Sequence, residues 1–442
     1  MAAPTESLVD AGNTAWVLTS SAFVLLMTPG LAFFYGGLVK EQNVLNTMMM
    51  SLISMGVVSI TWMLAGFSLA FGDGGGKIIG DLNYFGMQGM LDMDVWDGTT
   101  LPPLVFVVFQ MTFAVIGCAI ISGSIVERMH FGAFTVFITL WSLVVYAPIA
   151  HWIWGPGGWI EELGAKDFAG GAVVHESTAV SALTLAWLLG PRSERGEDQA
   201  HNVAFVILGG SLLWFGWSGF NGGSALAADS TAALALINSY QAAASCLVTW
   251  MMIERIFRKR WSAIGAVTGA VVGLVIITPA AGFVSTIGAF AMGIIGAMMV
   301  YPFFQFTSSI DDSLDTFPCH GISGFFGTML TGCFAMEGGL FYGGGFKLLL
   351  AQFVASMAVA AYAAFMSTLI FLFIKFVMRT RVHKDWEDAG LDELVHGESA
   401  YVHSPTKSYP SPNKSTKQMN TETSESEGST VTEATDNNNA IV

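Results

Sequence analysis

Long apolar runs with almost no charge are the strongest limit on what this chain can form. Of its 442 residues, 53% are hydrophobic and 12% are charged, with a mean hydropathy of +0.58. An ordinary soluble domain carries about 25% charged residues. A helix needs about 20 apolar residues to cross about 30 Å of hydrocarbon. Most of the uncharged runs reach that length, so the sequence predicts an all-α polytopic membrane protein.

We identify eleven candidate transmembrane helices. An odd number of crossings places the two termini on opposite sides of the membrane. Eleven also divides as five, five and one, and a second set of five then enters with opposite topology, as in transporters built from inverted repeats. The prediction is a 5+5 inverted repeat plus a final helix. The predicted spans are 15–38, 47–71, 101–123, 131–153, 169–190, 202–221, 231–252, 262–280, 283–304, 318–335 and 347–377.

The distribution of basic residues predicts the orientation. Cytoplasmic loops of membrane proteins carry an excess of Lys and Arg. With the N-terminus outside, twelve basic residues fall on the cytoplasmic side and three fall outside. We therefore expect an outer N-terminus and a cytoplasmic C-terminus. The twelve are Lys40, Arg128, Arg192, Arg195, Arg255, Arg258, Lys259, Arg260, Lys375, Arg379, Arg381 and Lys384, and the three are Lys77, Lys166 and Lys347.

The chain divides into segments of different composition. Residues 1–14 are expected to form an extracellular N-terminus, and they lack the basic stretch of a signal peptide. Residues 15–380 form the predicted membrane domain. Residues 381–401 are polar, and we expect a structured cytoplasmic segment there. Residues 402–442 are rich in Ser, Thr, Asn and Glu, which predicts a disordered tail with sites for kinases or a regulatory protein.

The sequence gives little support to enzymatic or cofactor chemistry. It contains no phosphate-binding glycine loop, no nucleophile elbow and no metal-ligand spacing. Its four cysteines fall in apolar runs without a CxxC pair, so neither a disulfide framework nor a zinc site is predicted. Much of the net charge of −15 lies in loops and in the tail, which does not indicate a nucleic-acid surface. We expect no enzyme activity, no cofactor and no metal.

Two histidines lie within predicted helices, at corresponding places in the two repeats. His175 is in the fifth helix and His320 is in the tenth. Ionisable groups at membrane depth are costly, and neutral imidazole is the least expensive of them. Three interpretations are open: the rings satisfy helix carbonyl groups, they ligate a haem, or they line a narrow pore. The pore is favoured because the neighbouring residues are small: Ala172, Ala179, Gly321 and Gly324.

Aromatic side chains and a hydroxyl accompany the outer parts of three predicted helices. Phe113 is in the third helix, Trp154 ends the fourth, and Phe220 and Ser224 end the sixth. One interpretation is an ordinary belt of interfacial aromatic residues. The other is a cation site, since an aromatic face attracts a partly dehydrated cation and a hydroxyl adds an acceptor. Phe rings below such a site would form an apolar constriction against hydrated ions.

Polar residues at the predicted helix ends are expected to act mainly as caps. Asp167 precedes the fifth helix at an N-cap position. In the alternative interpretation, its buried carboxylate attracts cations to the outer vestibule. Asp311, Asp312 and Asp315 are predicted to be caps and turn residues before the tenth helix. Thr278 ends the eighth helix, where it caps that helix or lines the vestibule.

Several motifs together resemble the ammonium transporter (Amt/Mep/Rh) family, over residues 13–401. The presence of Trp154 makes the chain more similar to the Amt branch than to the Rh branch. The motifs are PGLAFFYGG at 29–37, DFAGGAVVH at 167–175, FGWSGFNGGS at 215–224, DDSLD at 311–315 followed by His320-Gly321, and HGESA at 396–400.

The resemblance implies a homotrimer in the plasma membrane, with one pore in each protomer. It assigns ammonium recruitment to Trp154, Phe113 and Ser224, with Asp167 supporting that site from behind. It assigns a gate of stacked rings to Phe113 and Phe220.

The resemblance also assigns the pore to His175 and His320 and places Thr278 in the vestibule. It implies that NH4+ is recruited and deprotonated and that NH3 passes the histidines, with or without separate relay of the proton. The alternative function is an ammonium sensor that signals through its cytoplasmic tail while transporting little.

Two positions depart from the motifs of the family. Glu176 follows His175 where the family usually has an apolar residue. One residue turns about 100° around a helix, so we expect Glu176 to face a neighbouring helix and to be either protonated or hydrogen-bonded to a nearby Ser or Thr. Pro318 and Cys319 replace a pair similar to Gly-Val before His320, which predicts a slight shift of the tenth helix.

Overall fold

The computed structural model describes residues 8–193, 200–306 and 310–401, with only the backbone described at 305 and 306. The predicted disordered tail and the first seven residues lie outside this part of the chain. The described residues form helices and turns with two isolated bridges, Met129 to Arg381 and Val284 to Ala335. The predicted all-α class is confirmed.

The helices that carry the apolar runs follow one another along the chain. They are α1 (Ala11–Leu38), α2 (Glu41–Phe71), α3 (Pro103–Ser124), α4 (Phe131–Leu163), α5 (Gly171–Leu189), α6 (Val203–Gly223), α7 (Ser230–Phe257), α8 (Ala263–Ile277), α9 (Thr286–Val300), α10 (Phe317–Ile322 continuing as Ser323–Phe334) and α11 (Lys347–Val377). A short helix, Phe303–Phe306, precedes α10, and α12 (Lys384–Ala389) follows α11.

Each predicted span has a helix at its place. Among the described residues, eight helices are long and apolar enough to cross a membrane, namely α1 to α7 and α11. Helices α8 and α9 have 15 residues each, and α10 changes its hydrogen-bonding pattern after its first turns. The count of eleven crossings and the orientation stay predictions.

Acidic caps set two of the helix starts that differ from the prediction. Helix α1 begins at Ala11 rather than at residue 15, since the carboxylate of Asp10 accepts a hydrogen bond from the Asn13 backbone N–H at 2.8 Å. Helix α5 begins at Gly171 rather than at residue 169, because the preceding turn folds around the carboxylate of Asp167.

The first helices of the two predicted repeats, α1 and α6, pack closely against each other. Their contact depends on glycine, as is usual where membrane helices approach closely. A side chain at Gly209 would collide with the backbone of Gly30 and Phe34, and one at Gly37 would collide with Asn202 and Val206. These contacts join the two halves of the helical bundle.

The two histidine-bearing helices begin in the same unusual way. Each opens with a π-type turn, Gly171–Glu176 in α5 and Phe317–Ile322 in α10, a feature frequent at functional sites. In each case an aspartate eight residues before the histidine caps the turn. Asp167 caps α5, and Asp312 accepts hydrogen bonds from the first backbone N–H groups of α10 at 3.1 and 2.7 Å. This correspondence supports the predicted repeat.

Several of the basic residues predicted to be cytoplasmic meet at one end of the bundle, here called the basic end and defined by Arg128, Arg192 and Arg381. Arg192 donates to Asp311 at 3.0 Å and to Glu127 at 2.6 Å. Burial alone would raise the pKa of Asp311, but the hydrogen bonds and positive charge of Arg192 outweigh it and lower that pKa. The carboxylate therefore stays ionised and ties the loop before α10 to the loop after α5.

The segment after α11 folds back onto the basic end. Arg381 donates to Glu387 at 2.8 Å and to the Leu189 carbonyl at 3.0 Å. The carboxylate of Asp392 accepts from the backbone N–H groups of Leu45 and Asn46 at 2.9 and 2.8 Å. This segment thus contacts the first turns of α2 and the end of α5, while the domain boundaries proposed from composition stay predictions.

Candidate functional site

A continuous column of rings runs through the helical bundle. Trp154 meets Phe113 edge-on with centroids 6.2 Å apart, and Phe113 stacks on Phe220 at 4.1 Å and 24°. Phe220 stacks on His175 at 5.6 Å, and His175 stacks on His320 at 5.3 Å. The structure thus brings together, in one line, five of the residues that the sequence predicted for recruitment, gate and pore.

The two histidines contact each other directly. Their Nδ1 atoms are 3.2 Å apart, and both rings are buried. Since one Nδ1 must donate and the other accept, the pair holds opposite tautomers when neutral. One Nε2 then carries a proton and the other carries a lone pair. The Nε2 of His175 is buried without a hydrogen-bond partner among the described residues, so a passing polar molecule would find a partner there.

Trp217 is a member of this site that the sequence analysis missed. Its ring stacks on His175 at 5.3 Å and 22°, and it lies three residues before Phe220, on the same face of α6. Its Nε1 donates to the hydroxyl of Thr278 at 3.0 Å. Thr278 is fully buried and donates to the Leu274 carbonyl at 2.7 Å. In this conformation Thr278 therefore supports Trp217 from behind and does not line an open vestibule.

Asp167 organises the turn between Trp154 and α5. Its carboxylate oxygens accept hydrogen bonds from four consecutive backbone N–H groups, those of residues 170–173, at 2.7 to 3.1 Å. Its carbonyl oxygen accepts the indole N–H of Trp154 at 2.8 Å. The side chain thus caps α5, as predicted, and the main chain of the same residue fixes the indole.

Ser224 and Trp154 are the partly exposed members of the predicted recruitment site, whereas Phe113 and Phe220 are buried. The hydroxyl of Ser224 donates to the Phe220 carbonyl at 2.7 Å. That bond uses the only hydroxyl proton and leaves the oxygen lone pairs for a donor such as an ammonium ion. Accessibility therefore falls from Trp154 and Ser224 to the rings below them.

A cavity leads from the histidine pair to the basic end. Its volume is about 340 Å³ and His320 lies at its wall. Cys319 also lines it, so this departure from the family pattern faces the cavity. Burial and the neighbouring Asp312 carboxyl raise the pKa of Asp315, another wall residue, to about 7. The remaining charged wall residues are Glu127, Arg192 and Arg258.

Comparison with known proteins decides the family. The model of the Ammonium Transporter Family matches residues 15–401. The ammonium transporter of Bacillus subtilis (strain 168) is 46% identical over 401 residues, which cover 88% of this chain and 98% of that protein. The chain belongs to the ammonium transporter family.

Solved structures agree with this family assignment. The crystal structure of Candida albicans Mep2 has a TM-score of 0.79 at 34% identity, covering 85% of this chain and 87% of that one. A protein described as a sensor Amt protein has a TM-score of 0.81 at 30% identity, covering 87% of this chain and 98% of that one.

Glu176, the other departure from the pattern of the ammonium transporter family, faces away from the column of rings. Both of its carboxyl oxygens lie close to the hydroxyl of Ser356 in α11, at 2.6 and 2.7 Å. Its backbone lies against Gly324 of α10. The direction is the one expected from its place one residue after His175, and the bond to a serine is one of the two alternatives predicted for its carboxyl group.

The described part of this ammonium transporter family member does not offer a metal centre. No group of three or more His, Cys, Asp and Glu residues among the described residues is arranged to hold a metal ion. A haem iron would hold two axial imidazole nitrogens on its opposite sides, about 2 Å from each and so about 4 Å apart, whereas the two Nδ1 atoms are 3.2 Å apart and in direct contact. The geometry of the pair favours the pore interpretation over haem ligation.

Proposed function

We propose that this protein transports ammonium across the plasma membrane, as a homotrimer with one pore in each protomer. NH4+ is recruited at Trp154, Phe113 and Ser224, loses its proton near the Phe rings, and crosses the histidine pair as NH3. The observation that carries the proposal is the unbroken column of rings from Trp154 to His320, which ends at a cavity open to the basic end.

The outer residues suit a small monovalent cation. The indole of Trp154 provides a cation–π face, and the hydroxyl of Ser224 has free lone pairs. Asp167 supplies a buried negative charge behind the indole, although its oxygens are occupied by four N–H groups. This charge acts on the cation at a distance, while the carbonyl of the same residue holds the indole in place.

The stacked gate separates the ion from the neutral molecule. Phe113 and Phe220 are in ring contact at 4.1 Å and fully buried, so a hydrated ion cannot pass without losing its water. Losing hydration costs an ion far more than it costs neutral NH3. Deprotonation at the gate therefore lowers the barrier and also discriminates against ions that have no proton to release.

The histidine pair provides polar partners beyond the gate. With opposite tautomers, one Nε2 accepts a hydrogen bond from NH3 and the other donates one to its nitrogen lone pair. These roles are exchanged when the ring with the free Nε2 takes up a proton there and passes its Nδ1 proton to the other Nδ1, while the other ring releases its own Nε2 proton; one proton then crosses the pair. The same pair is thus suited to passing NH3 and to relaying a proton separately.

Transport currents on solid-supported membranes test the proposal. Wild-type protein in liposomes should give a saturable current after an ammonium jump, and His175→Ala should abolish the current or its selectivity for ammonium over K+. Trp154→Leu should raise the half-saturating ammonium concentration. The matched controls are His383→Ala and Trp187→Leu, which change an exposed histidine and an exposed tryptophan. A wild-type protein that moves neither charge nor ammonia contradicts the proposal.

A sensor is the second candidate function. Two observations favour it: the similarity to the sensor Amt protein and the contacts of the segment after α11 with the end of α5 and the start of α2. A sensor would bind ammonium at Trp154 and change the exposure of that segment without a flux. Measuring NH3 flux by a pH-sensitive dye in the same liposomes separates this case from electroneutral transport.

A further inference from the structure

The loop at residues 76–78, between α2 and α3, is hydrogen-bonded to the part of α4 around Trp154. Three consecutive carbonyl groups of this loop accept hydrogen bonds from the end of α4. The bonds are His151 Nε2 to the Gly76 oxygen at 2.7 Å, Trp159 N to the Lys77 oxygen at 3.4 Å and Trp152 Nε1 to the Ile78 oxygen at 2.7 Å.

His151 has an acceptor at each end of its ring. Its Nδ1 lies 2.9 Å from the carbonyl oxygen of Ala70, and its Nε2 lies 2.7 Å from that of Gly76. Neutral imidazole has one N–H and one lone pair, and a carbonyl oxygen can only accept. In the neutral form one of these close contacts would bring two lone pairs together. Only the imidazolium, with both nitrogens protonated, makes both hydrogen bonds.

The surroundings confirm that these contacts are built into the fold. His151 is fully buried. A side chain at Gly155 would collide with both the Nδ1 of His151 and the oxygen of Ala70, so this glycine allows the close approach. No carboxylate of the described residues lies within ion-pair distance of the ring. A positive charge on this ring would therefore be stabilised by the carbonyl dipoles of Ala70 and Gly76.

We propose that His151 is doubly protonated in this conformation and that it acts as a positioning residue for the ammonium recruitment site. It lies one helical turn before Trp154 on the same helix, where residues three apart are neighbours. The two carbonyl groups that it joins belong to the end of α2 and to the loop at 76–78. Loss of one ring proton releases one of these groups and loosens the turn that carries the indole. This inference rests on the proposed function of Trp154.

Five charged residues lie in the segments next to His151, and three of them, Lys77, Asp81 and Glu162, have partners elsewhere. From the loop side they are Asp73, Lys77 and Asp81, and from the turn after Trp154 they are Glu161 and Glu162. Lys77 pairs with Glu162, and Asp81 accepts from Gly74 and Asn83. Between Trp62 and Phe71 the packed end of α2 has no charged residue, and α11, which contacts the neighbouring Trp152, is charged only near its ends.

Nitrogen NMR of the histidine rings tests the protonation directly and does not depend on transport. The full-length protein is labelled with ¹⁵N-histidine in lipid nanodiscs, and the His151 signals are assigned by their loss in His151→Gln. Both ring nitrogens should resonate as protonated nitrogens. One protonated and one unprotonated nitrogen at His151, at a pH where Trp154-dependent transport is intact, overturns the inference.

Ammonium currents at different outer pH test the positioning role, with substrate expressed as NH4+ concentration. Deprotonation of His151 should raise the wild-type KM by about threefold to tenfold, the effect of losing one hydrogen bond, with little change in maximal current. His151→Gln should have the raised KM at every pH, without the increase in KM that deprotonation of His151 causes in the wild type. The control Trp152→Phe removes the hydrogen bond to the Ile78 carbonyl and leaves His151 intact. It should raise KM and keep the further increase in KM on deprotonation of His151.

The outcomes separate this inference from the proposed function. A wild-type KM that stays flat or falls across the deprotonation of His151 overturns the positioning role while leaving ammonium transport intact. Absence of any ammonium transport by the wild type defeats the proposed function, and the ring NMR still decides whether His151 carries both protons.

Discussion

The buried hydroxyl of Thr278 is linked to the predicted pore by one residue, Trp217. The ring of Trp217 stacks on His175, and its N–H ends on the hydroxyl of Thr278. Removing that hydroxyl leaves a buried indole N–H without an acceptor, at a cost of about 1–3 kcal/mol. The indole can recover a partner only by tilting away from His175.

We predict that Thr278→Val lowers the ammonium current about threefold to tenfold, because the substitution keeps the side-chain volume and removes only the acceptor. The matched control is Thr331→Val, since the buried hydroxyl of Thr331 donates only to the Gly327 carbonyl of its own helix. Equal currents in wild type and Thr278→Val, with both variants correctly folded, would show that Trp217 does not position His175.

At the scale of elements, the sequence predicted where helices lie better than how they begin. Apolar runs and the positions of His175 and His320 were enough to place α5 and α10. Their opening π-type turns were not predictable, because a change of hydrogen-bonding partner over six residues leaves the apolar pattern unchanged. Trp217 lies three residues before Phe220 and therefore on the same helix face, which could have placed it in the site. It was not selected because tryptophans near the membrane interface are common.

The contact between α5 and α11 gives the second prediction. Glu176 is buried beside the hydroxyl of Ser356, and a charged carboxylate at that depth would be costly. A neutral amide can keep the hydrogen bond, so Glu176→Gln should keep the free energy of unfolding within about 1 kcal/mol of wild type. Glu176→Ala should lower it by about 2–4 kcal/mol, through the lost contact and the cavity that remains.

Thermal unfolding in detergent measures these differences, with Ser356→Ala and the double variant completing a cycle. Contacting residues should give a non-additive result. A Glu176→Gln variant as unstable as Glu176→Ala would mean that the carboxyl is ionised and paired in a way that an amide cannot replace.

At the scale of the whole molecule, the basic end connects distant parts of the chain. Arg381 follows α11, yet it donates to the carbonyl groups of Leu189, the last residue of α5, and of Pro191 in the next loop, while its partner Glu387 accepts from the Ser193 backbone N–H. Contacts of this kind join a side chain to a backbone group 190 to 194 residues away, and no local sequence pattern specifies them. The sequence analysis therefore predicted a structured segment here but none of its partners.

Arg381→Gln should release this segment from the loop after α5. The substitution removes the charge that pairs with Glu387, a carboxylate that is buried and would be left without its counter-ion, which is strongly destabilising. Hydrogen exchange should report the release of the segment at Leu391, whose backbone N–H donates to the side-chain oxygen of Asn43. Exchange there should accelerate tenfold or more, equivalent to at least about 1.4 kcal/mol.

Lys384→Gln is the matched control, because Lys384 is an exposed cation on the same segment. It should leave the exchange at Leu391 unchanged. The ammonium current, measured in the same liposomes, then shows whether the fold of the basic end affects the pore. A link is expected because the cavity next to His320 is lined by Glu127 and Arg192. Ser193, which follows Arg192, donates its backbone N–H to Glu387. Faster exchange with a smaller current in Arg381→Gln alone is the expected result, since loosening Glu387 also loosens that wall. Faster exchange with a normal current would mean that the segment is docked but does not act on the pore.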